Sequence, residues 1–438
     1  MQTRTSMVLC LFVVPTGHHE ASWRLPASPA ERLYDLRYYA ELALQAESAG
    51  LHALFFADAP ALRTNVRHNT GGSVLEPFTL LGALAASTQS IGLIGTASTT
   101  YTEPYNVARA LSSLDHLSGG RIGWNIVTTA FAGAAANFGT ASHADREERY
   151  RRADEFVAVA KKLWDSWGEN AIVCDRVSGR YADTEQIAEA NHTGRYFSVR
   201  GPFQSARSPQ RYPVLVQAGA SEPGRTFAAQ HAEVVFSVQR KEDASRDFRR
   251  DLHRRAQQVG RNPRGVLVLP GLSVHVGRTR NEAQDMADQL NSLIIPEHGI
   301  SQIRKITGVN LSTYDLDEII TTEPFHREAG KASFASRRDE IIDMIDEERQ
   351  TLRRLLQRVA GARTHRVLVG TAEEVADEMQ HWFKSGACDG FNIMPPVLPG
   401  GLTNFVELVL PELQRRKCWA PPVNGLPLRS RLGLTPLR

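Results

Sequence analysis

Short apolar runs alternate with longer amphipathic stretches along most of the chain. Strands change face every residue, whereas helices repeat their apolar positions every three to four, so the alternation resolves into elements. Val8–Val14 predicts a first strand. Glu31–Ala49 reads as helical and stops at Gly50, a residue suited to the left-handed position after a helix. Ala53–Ala57 is a second strand, Glu76–Ser87 a helix and Ile91–Thr96 a third strand. Pro104–Leu117 opens on proline and ends before Gly119-Gly120, the usual asymmetry of helix ends. Ile122–Val127 is a fourth strand and Arg146–Trp167 a long helix.

The alternation then pauses over 168–212, which is rich in Gly, Asn, Arg and Pro. Pro213–Ala218, Val234–Val238 and Val266–Val276 predict strands five to seven, with a helix at Asn281–Ile295. A second excursion covers 296–366 and contains a charged helical stretch, Arg337–Val359. Thr371 and Glu374 have the spacing of a capping box. Phe391–Met394 is an eighth strand, Asn404–Arg416 a final helix, and 417–438 a Pro-rich C-terminal tail. Eight strands each coupled to a helix predict an α/β fold, a single TIM-type (β/α)8 barrel spanning 1–438, with insertions after strands 4 and 7. A doubly wound nucleotide-binding sheet would want GxGxxG after its first strand, and Pro15-Thr16-Gly17-His18-His19 is not that. Long excursions in a compact fold point to functional insertions such as a lid.

Composition narrows the function classes. The 51 basic and 48 acidic residues give a net charge of +3, with no basic stripe of the kind nucleic acid requires. The four cysteines, Cys10, Cys174, Cys388 and Cys418, form no CxxC pair, so neither a metal site nor a disulfide framework is expected. The apolar run at Met7–Pro15 is too short to span a bilayer. A soluble cytoplasmic protein is the expectation.

In a barrel the chemistry sits beyond the C-terminal ends of the strands. There the sequence places Thr16, His18 and His19 after strand one, Asp58 after strand two, and Thr96 to Tyr101 at strand three. Strand four carries Asn125, and strand five leads into Gly219–Arg225. That last turn presents free backbone N–H groups at a helix N-terminus, with Ser221, Gly224 and Arg225 beside them, a cradle for one phosphate. Simple N-capping by Ser221 would give the same pattern. Asn125 is unusual inside a strand, because a buried amide must find partners. Arg63–His68 offers two arginines and a histidine that would suit an anionic substrate, or simply a solvated loop.

The segments TGHHEASWR, FFAD, TASTTYTEPYNVARALSSLDHLSGGRIGWNIVTT, ERYRRADEFVAVAKKLWDSW, HTGRYFSVRGPFQSARSPQRYPVLVQAGAS and DGFNIMPPVLPGGL occur in an order and spacing that resemble the nitrilotriacetate monooxygenase group of the luciferase-like superfamily. Desulfurising sulfone monooxygenases and pristinamycin synthase belong to the same group. The resemblance implies a barrel that binds reduced FMN (FMNH2) supplied by a separate NAD(P)H:flavin reductase. It implies insertion of one atom of O2 into a small organic substrate through a C4a-peroxyflavin, and a homodimer or homotetramer. Carried over by position, flavin contacts fall on Asp58, Thr96, Tyr150 and Ser221, with Asn125 on the strand facing the ring. Relatives carry histidine where this chain has Arg146; either Arg146 replaces it or nearby His143 takes over. His18, His19 and Tyr101 are candidates for the catalytic, substrate side. Two other readings stay open: a deazaflavin (F420)-dependent oxidoreductase of the same fold, and a non-catalytic flavin-binding partner protein.

Overall fold

The structure is a computed structural model that describes residues 4–62, 66–70, 74–140, 142–328 and 335–437. Part of the basic Arg63–His68 loop, residues 63–65, lies outside the described residues, as do 71–73 and 329–334.

Eight parallel strands close on themselves: β1 (Val8–Phe12), β2 (Ala53–Phe56), β3 (Gly92–Ser98), β4 (Ile122–Val127), β5 (Val214–Ala218), β6 (Val234–Ser237), β7 (Leu267–Val276) and β8 (Gly390–Ile393). Each pairs with the next in chain order, and β8 returns to β1. All eight lie within two residues of their expected bounds. Helices α1 (Leu36–Ser48), α2 (Pro77–Ser87), α3 (Pro104–Leu117), α4 (Arg146–Trp164), α5 (Glu222–His231), α6 (Glu242–Gln258) and α7 (Arg280–Ser292) surround the barrel.

The strands bury both faces, as an all-parallel sheet must. One face packs inward: Cys10 and Phe12, Phe55, Ile94, Val216 and Leu269 share a single interior cluster. Their sequence neighbours face the helices, where Leu11, Leu54, Leu93 and Trp124 join the larger outer core. The interior cluster also contains Leu428, Leu432 and Leu434 of the tail. The tail is therefore no appendage. The Leu428 side chain enters the N-terminal end of the barrel at Gly92 and Gly123, where an added Cβ would lie 2.4 and 3.4 Å from its methyl groups.

Three expectations need correction. Glu31–Ala49 is not one helix: Asp35 accepts a hydrogen bond from the Arg37 N–H at 3.0 Å and caps α1, so the helix starts at Leu36. Arg337–Val359 is likewise two helices. The second excursion folds as α8 (Pro296–Thr307), α9 (Glu323–Arg327), α10 (Ala335–Glu347) and α11 (Leu352–Ala362), and Thr351 caps the last of these. These helices share an apolar cluster of their own around Ile303, Leu311, Phe325, Ile341 and Leu355. Thirdly, Arg366–Gly370 is a ninth strand. β7 is ten residues long, and its outer half, Leu272–Val276, carries this extra strand outside the ring. The apolar run Val367-Leu368-Val369 was its signal in the sequence, although its residues are mostly half-buried in the structure. The capping box at Thr371 and Glu374 is present at the start of α12 (Ala372–Lys384). The first excursion holds two small antiparallel ladders, Ile172–Asp175 with Arg180–Ala182 and His192–Thr193 with Ser198–Val199.

Candidate active site

At the C-terminal mouth the interior turns polar. Thr96 on β3 and Asn125 on β4 are register partners and 3% exposed each. The Thr96 hydroxyl donates to the Phe56 carbonyl at 2.8 Å. Its proton is thus committed, and Thr96 can only accept from the Asn125 amide, whose Nδ2 lies 2.8 Å away. That fixes the amide orientation and leaves Asn125 Oδ1 buried without a donor. A buried acceptor with no partner costs about 1–3 kcal/mol, so a ligand N–H at this spot would be strongly favoured.

The β5–α5 turn supplies the second feature. Ser221 caps α5, its Oγ accepting from the Gly224 N–H at 3.3 Å. Tyr150, from α4, brings its hydroxyl to the same place. A Cβ on Gly219 would meet Tyr150 Oη at 3.0 Å, and one on Gly224 would meet it at 2.9 Å and Ser221 Oγ at 3.1 Å. Two glycines, two hydroxyls and the positive end of a helix dipole therefore converge on one small concavity, which suits a dianionic phosphate. Arg225 does not join them. Its Nε donates to the Ala220 carbonyl at 2.9 Å, its head stacks 5.1 Å from the Phe248 ring centroid, and Asp251 pairs with it at 3.4 Å. The guanidinium is spent on tying α5 to α6.

Of the remaining expected residues, Asp58 is half-buried just past β2. Tyr101 stands at the rim past β3, stacked on Phe138 at 4.8 Å, with its hydroxyl 2.7 Å from His143 Nδ1. Arg146 is exposed at the first residue of α4. His143 is half-buried with its Nε2 unpartnered, and its Nδ1 meets Tyr101 at the rim. Burial and the neighbouring Arg149 both lower the His143 pKa and keep the ring neutral. The two adjacent histidines after β1 diverge. His19 accepts the Ala21 N–H on Nδ1 at 3.1 Å and turns Nε2 to Asn291 of α7 at 3.5 Å. His18 stays inside the mouth, 1% exposed, edge-on to Phe12 at 4.5 Å.

Two site groups escaped the sequence reading. Asn392 on β8 is 2% exposed with its Oδ1 unpartnered, the same situation as Asn125. An asparagine inside an apolar strand run was the available signal. Arg149 is 8% exposed beside Tyr150, its Nε without a partner, and nothing in a charged helix start distinguished it from Arg146.

The luciferase-like monooxygenase family model matches residues 6–389. The chain belongs to that family. Among its relatives, N-acetyl-S-(2-succino)cysteine monooxygenase of Bacillus subtilis is 42% identical over 97% of this chain and 96% of its own length. Nitrilotriacetate monooxygenase component A of Aminobacter aminovorans is 41% identical over 96% and 94%. A crystal structure of riboflavin lyase with modified FMN and riboflavin superposes with a TM-score of 0.86 at 32% identity, covering 99% of this chain and 97% of that one.

In this luciferase-like monooxygenase the histidines near the mouth are neutral. Burial lowers His19 to about 4, burial with the charges of Arg337 and Arg363 lowers His365 to about 3, and burial pushes His18 well below its ordinary value. A lowered pKa means that the unfolded chain takes up the proton first as pH falls. Each such histidine therefore costs stability below pH 6.5, by roughly 1.4 kcal/mol per pH unit until its folded pKa is reached. Buried Glu20, raised to about 7, acts in the opposite sense between 7 and its unfolded value but is a single group. The urea midpoint should fall clearly between pH 7.5 and 5.5; an unchanged midpoint would mean these rings are not held neutral.

Proposed function

We propose that the chain is the oxygenase component of a two-component system. In this reading, FMN reduced by a separate NAD(P)H:flavin reductase binds at the barrel mouth, and one atom of O2 enters a small organic substrate. The observation that carries it is the pairing of the Ser221–Gly224–Tyr150 cradle with the unpartnered Asn125 Oδ1 on adjacent strands. A phosphate and the N–H edge of a ring are what a flavin mononucleotide offers to such a pair. No nicotinamide fingerprint accompanies them in the sequence, in keeping with a separate reductase.

The residues divide the work. Gly219, Ser221, Gly224 and Tyr150 would hold the phosphate, with Arg149 lending positive charge. Thr96 orients Asn125, and Asn125 with Asp58 would fix the ring and ribityl chain. His143 and Tyr101 close the rim. Reduced flavin supplies the two electrons that activate O2; the protein positions it and keeps water away. The helical insertion at 296–366 is the element available to shield the mouth.

Anaerobic titration with photoreduced FMN, followed by mixing with oxygenated buffer, tests this. Saturable binding of one equivalent per chain and flavin reoxidation slower than that of free reduced FMN are expected. No binding, or reoxidation at the free rate with full peroxide release, would sink the proposal, and reduced F420 would be titrated next. N-acetyl-S-(2-succino)cysteine and nitrilotriacetate, the compounds for which the two relatives are named, are the first substrates to try.

A further inference from the structure

Across the mouth from the phosphate cradle, the structure is built differently. Phe12, Phe55 and Phe236 form an edge-to-face floor, with Phe12 4.9 Å from Phe55 and 5.5 Å from Phe236. His18 stands on this floor, and His365 lies flat on Phe236 at 5.1 Å and 11°. The His365 ring fits there only because position 271 on β7 is glycine: a Cβ would come 2.3 Å from its Nδ1. The Nε2 of His18 lies 3.0 Å from the Phe12 carbonyl, so Nε2 carries the proton. Nδ1 is then a bare lone pair, buried, with no donor.

Arg363 stands two residues before His365. It ends α11 in the left-handed conformation, φ 52°, a position at which glycine or asparagine is usual. The chain accepts an arginine there although a smaller residue would relieve the backbone. Its guanidinium is half-buried and makes no hydrogen bond or ion pair with any described residue. Its charge reaches His18 and His365, and that of Arg337 adds to it. The acid whose field reaches Arg363 is Glu20. Glu20 instead turns its Oε2 toward His298 Nε2, 3.9 Å away. The half-buried fork of five donors lies two residues from the His365 ring that shares the aromatic floor with His18, so it can meet an anion there while His18 Nδ1 meets a donor.

We propose that Arg363 receives a carboxylate of the substrate, while His18 Nδ1 accepts a hydrogen bond from an N–H or O–H group on the same molecule. This rests on the monooxygenase reading above, since the same mouth would take the flavin. The phosphate cradle lies on β5 and α5, so the anion that Arg363 meets is not the flavin's phosphate. Planar, bidentate pairing favours a carboxylate over a monodentate anion. The substrate class is therefore a small carboxylic acid bearing a hydrogen-bond donor, not a neutral alkane or sulfone.

Isothermal titration of the FMN-loaded protein with citrate, which carries both carboxylates and a hydroxyl donor, and with its trimethyl ester as the uncharged control, tests the subsite. Wild type should bind citrate and not the ester. Arg363→Met should weaken citrate by about tenfold or more, the loss expected for one charged hydrogen bond, with FMN affinity unchanged. Arg363→Lys, which keeps the charge but not the planar fork, should recover only part of the binding, and equal melting temperatures would show all three proteins folded. Equal binding of citrate by Arg363→Met, equal binding of the ester, no citrate binding by wild type, or a parallel loss of FMN affinity would each overturn the proposal. Failure of wild type to bind FMN at all would count against the monooxygenase reading instead, and the subsite would still be read by titrating the flavin-free protein.

Discussion

Gly224→Ala is expected to leave the protein as stable as wild type, or slightly more so, while weakening FMN binding by about a hundredfold. Gly224 sits in the first turn of α5, behind the Ser221 cap. Alanine is better than glycine inside a helix by about 1 kcal/mol. The new Cβ would meet only the ends of movable groups, Tyr150 Oη at 2.9 Å and Ser221 Oγ at 3.1 Å, apart from the Gly219 carbonyl carbon at 3.3 Å. The fold can accommodate that; a phosphate in the same concavity cannot. Losing one or two charge-assisted hydrogen bonds at about 1.5–3 kcal/mol each gives the stated factor. The control is riboflavin, which lacks the phosphate: its affinity should barely change, so the preference for FMN over riboflavin collapses. A variant that keeps wild-type FMN affinity would show that the phosphate lies elsewhere. Ser221→Ala is a poorer test, because it also removes the helix cap.

The cradle and the barrel were both legible in the sequence, for different reasons. A strand buried on two faces reads as a continuous apolar run, and eight of these separated by helices leave few topologies open. The shape of the β5–α5 turn was legible because Gly219, Ser221 and Gly224 are contiguous, whereas Tyr150 reaches the same place from α4. What was illegible depends on side-chain direction or on contacts between distant segments. Arg225 shares the turn but points to Asp251 on α6, and nothing in the turn foretells that. His18 and His19 are adjacent, yet one enters the mouth and the other turns to Asn291. Arg146 and Arg149 lie on one helix, and only the packing of α4 decides that Arg149 is the buried one. Asp35 and Thr351 were overlooked as caps because amphipathic periodicity runs across them. Arg363 and His365 close the second excursion just beyond the helical stretch read at Arg337–Val359, and nothing in the sequence brought them to the mouth. They matter because the extra strand beside β7 carries them back over the mouth.

The tail was the largest omission, and it supports the prediction with the greatest effect on stability. Residues 417–438 read as a Pro-rich end, yet Leu428 fills the N-terminal end of the barrel in the space left by Gly92 and Gly123. Arg429, 3% exposed, pairs with Glu233, which also accepts the Leu215 N–H at 3.1 Å. The Arg429 N–H donates to Gln210 Oε1 at 2.9 Å, and Gln210 in turn donates to Asp115 Oδ1 at 2.7 Å and to the Ile122 carbonyl at 2.9 Å. One buried network thus joins the tail, the first excursion, α3, β4 and the approach to β6. Arg429→Met would leave the half-buried Glu233 carboxylate without its guanidinium partner, holding only the Leu215 N–H, which should cost about 3 kcal/mol. Leu428→Ala would open a cavity at a site whose walls are glycine backbone and cannot collapse, a loss of about 3–5 kcal/mol. Urea unfolding of the flavin-free protein measures both. Arg429→Met combined with Glu233→Gln should recover part of the loss, because the uncompensated charge is then gone. Below their melting temperatures both single variants should bind reduced FMN like wild type, since the tail closes the end of the barrel opposite the mouth. A loss under about 1 kcal/mol would place the tail on the surface; a loss of FMN affinity without unfolding would mean that the two ends of the barrel are coupled, and that the strands transmit strain along their length rather than isolating stability at one end from chemistry at the other.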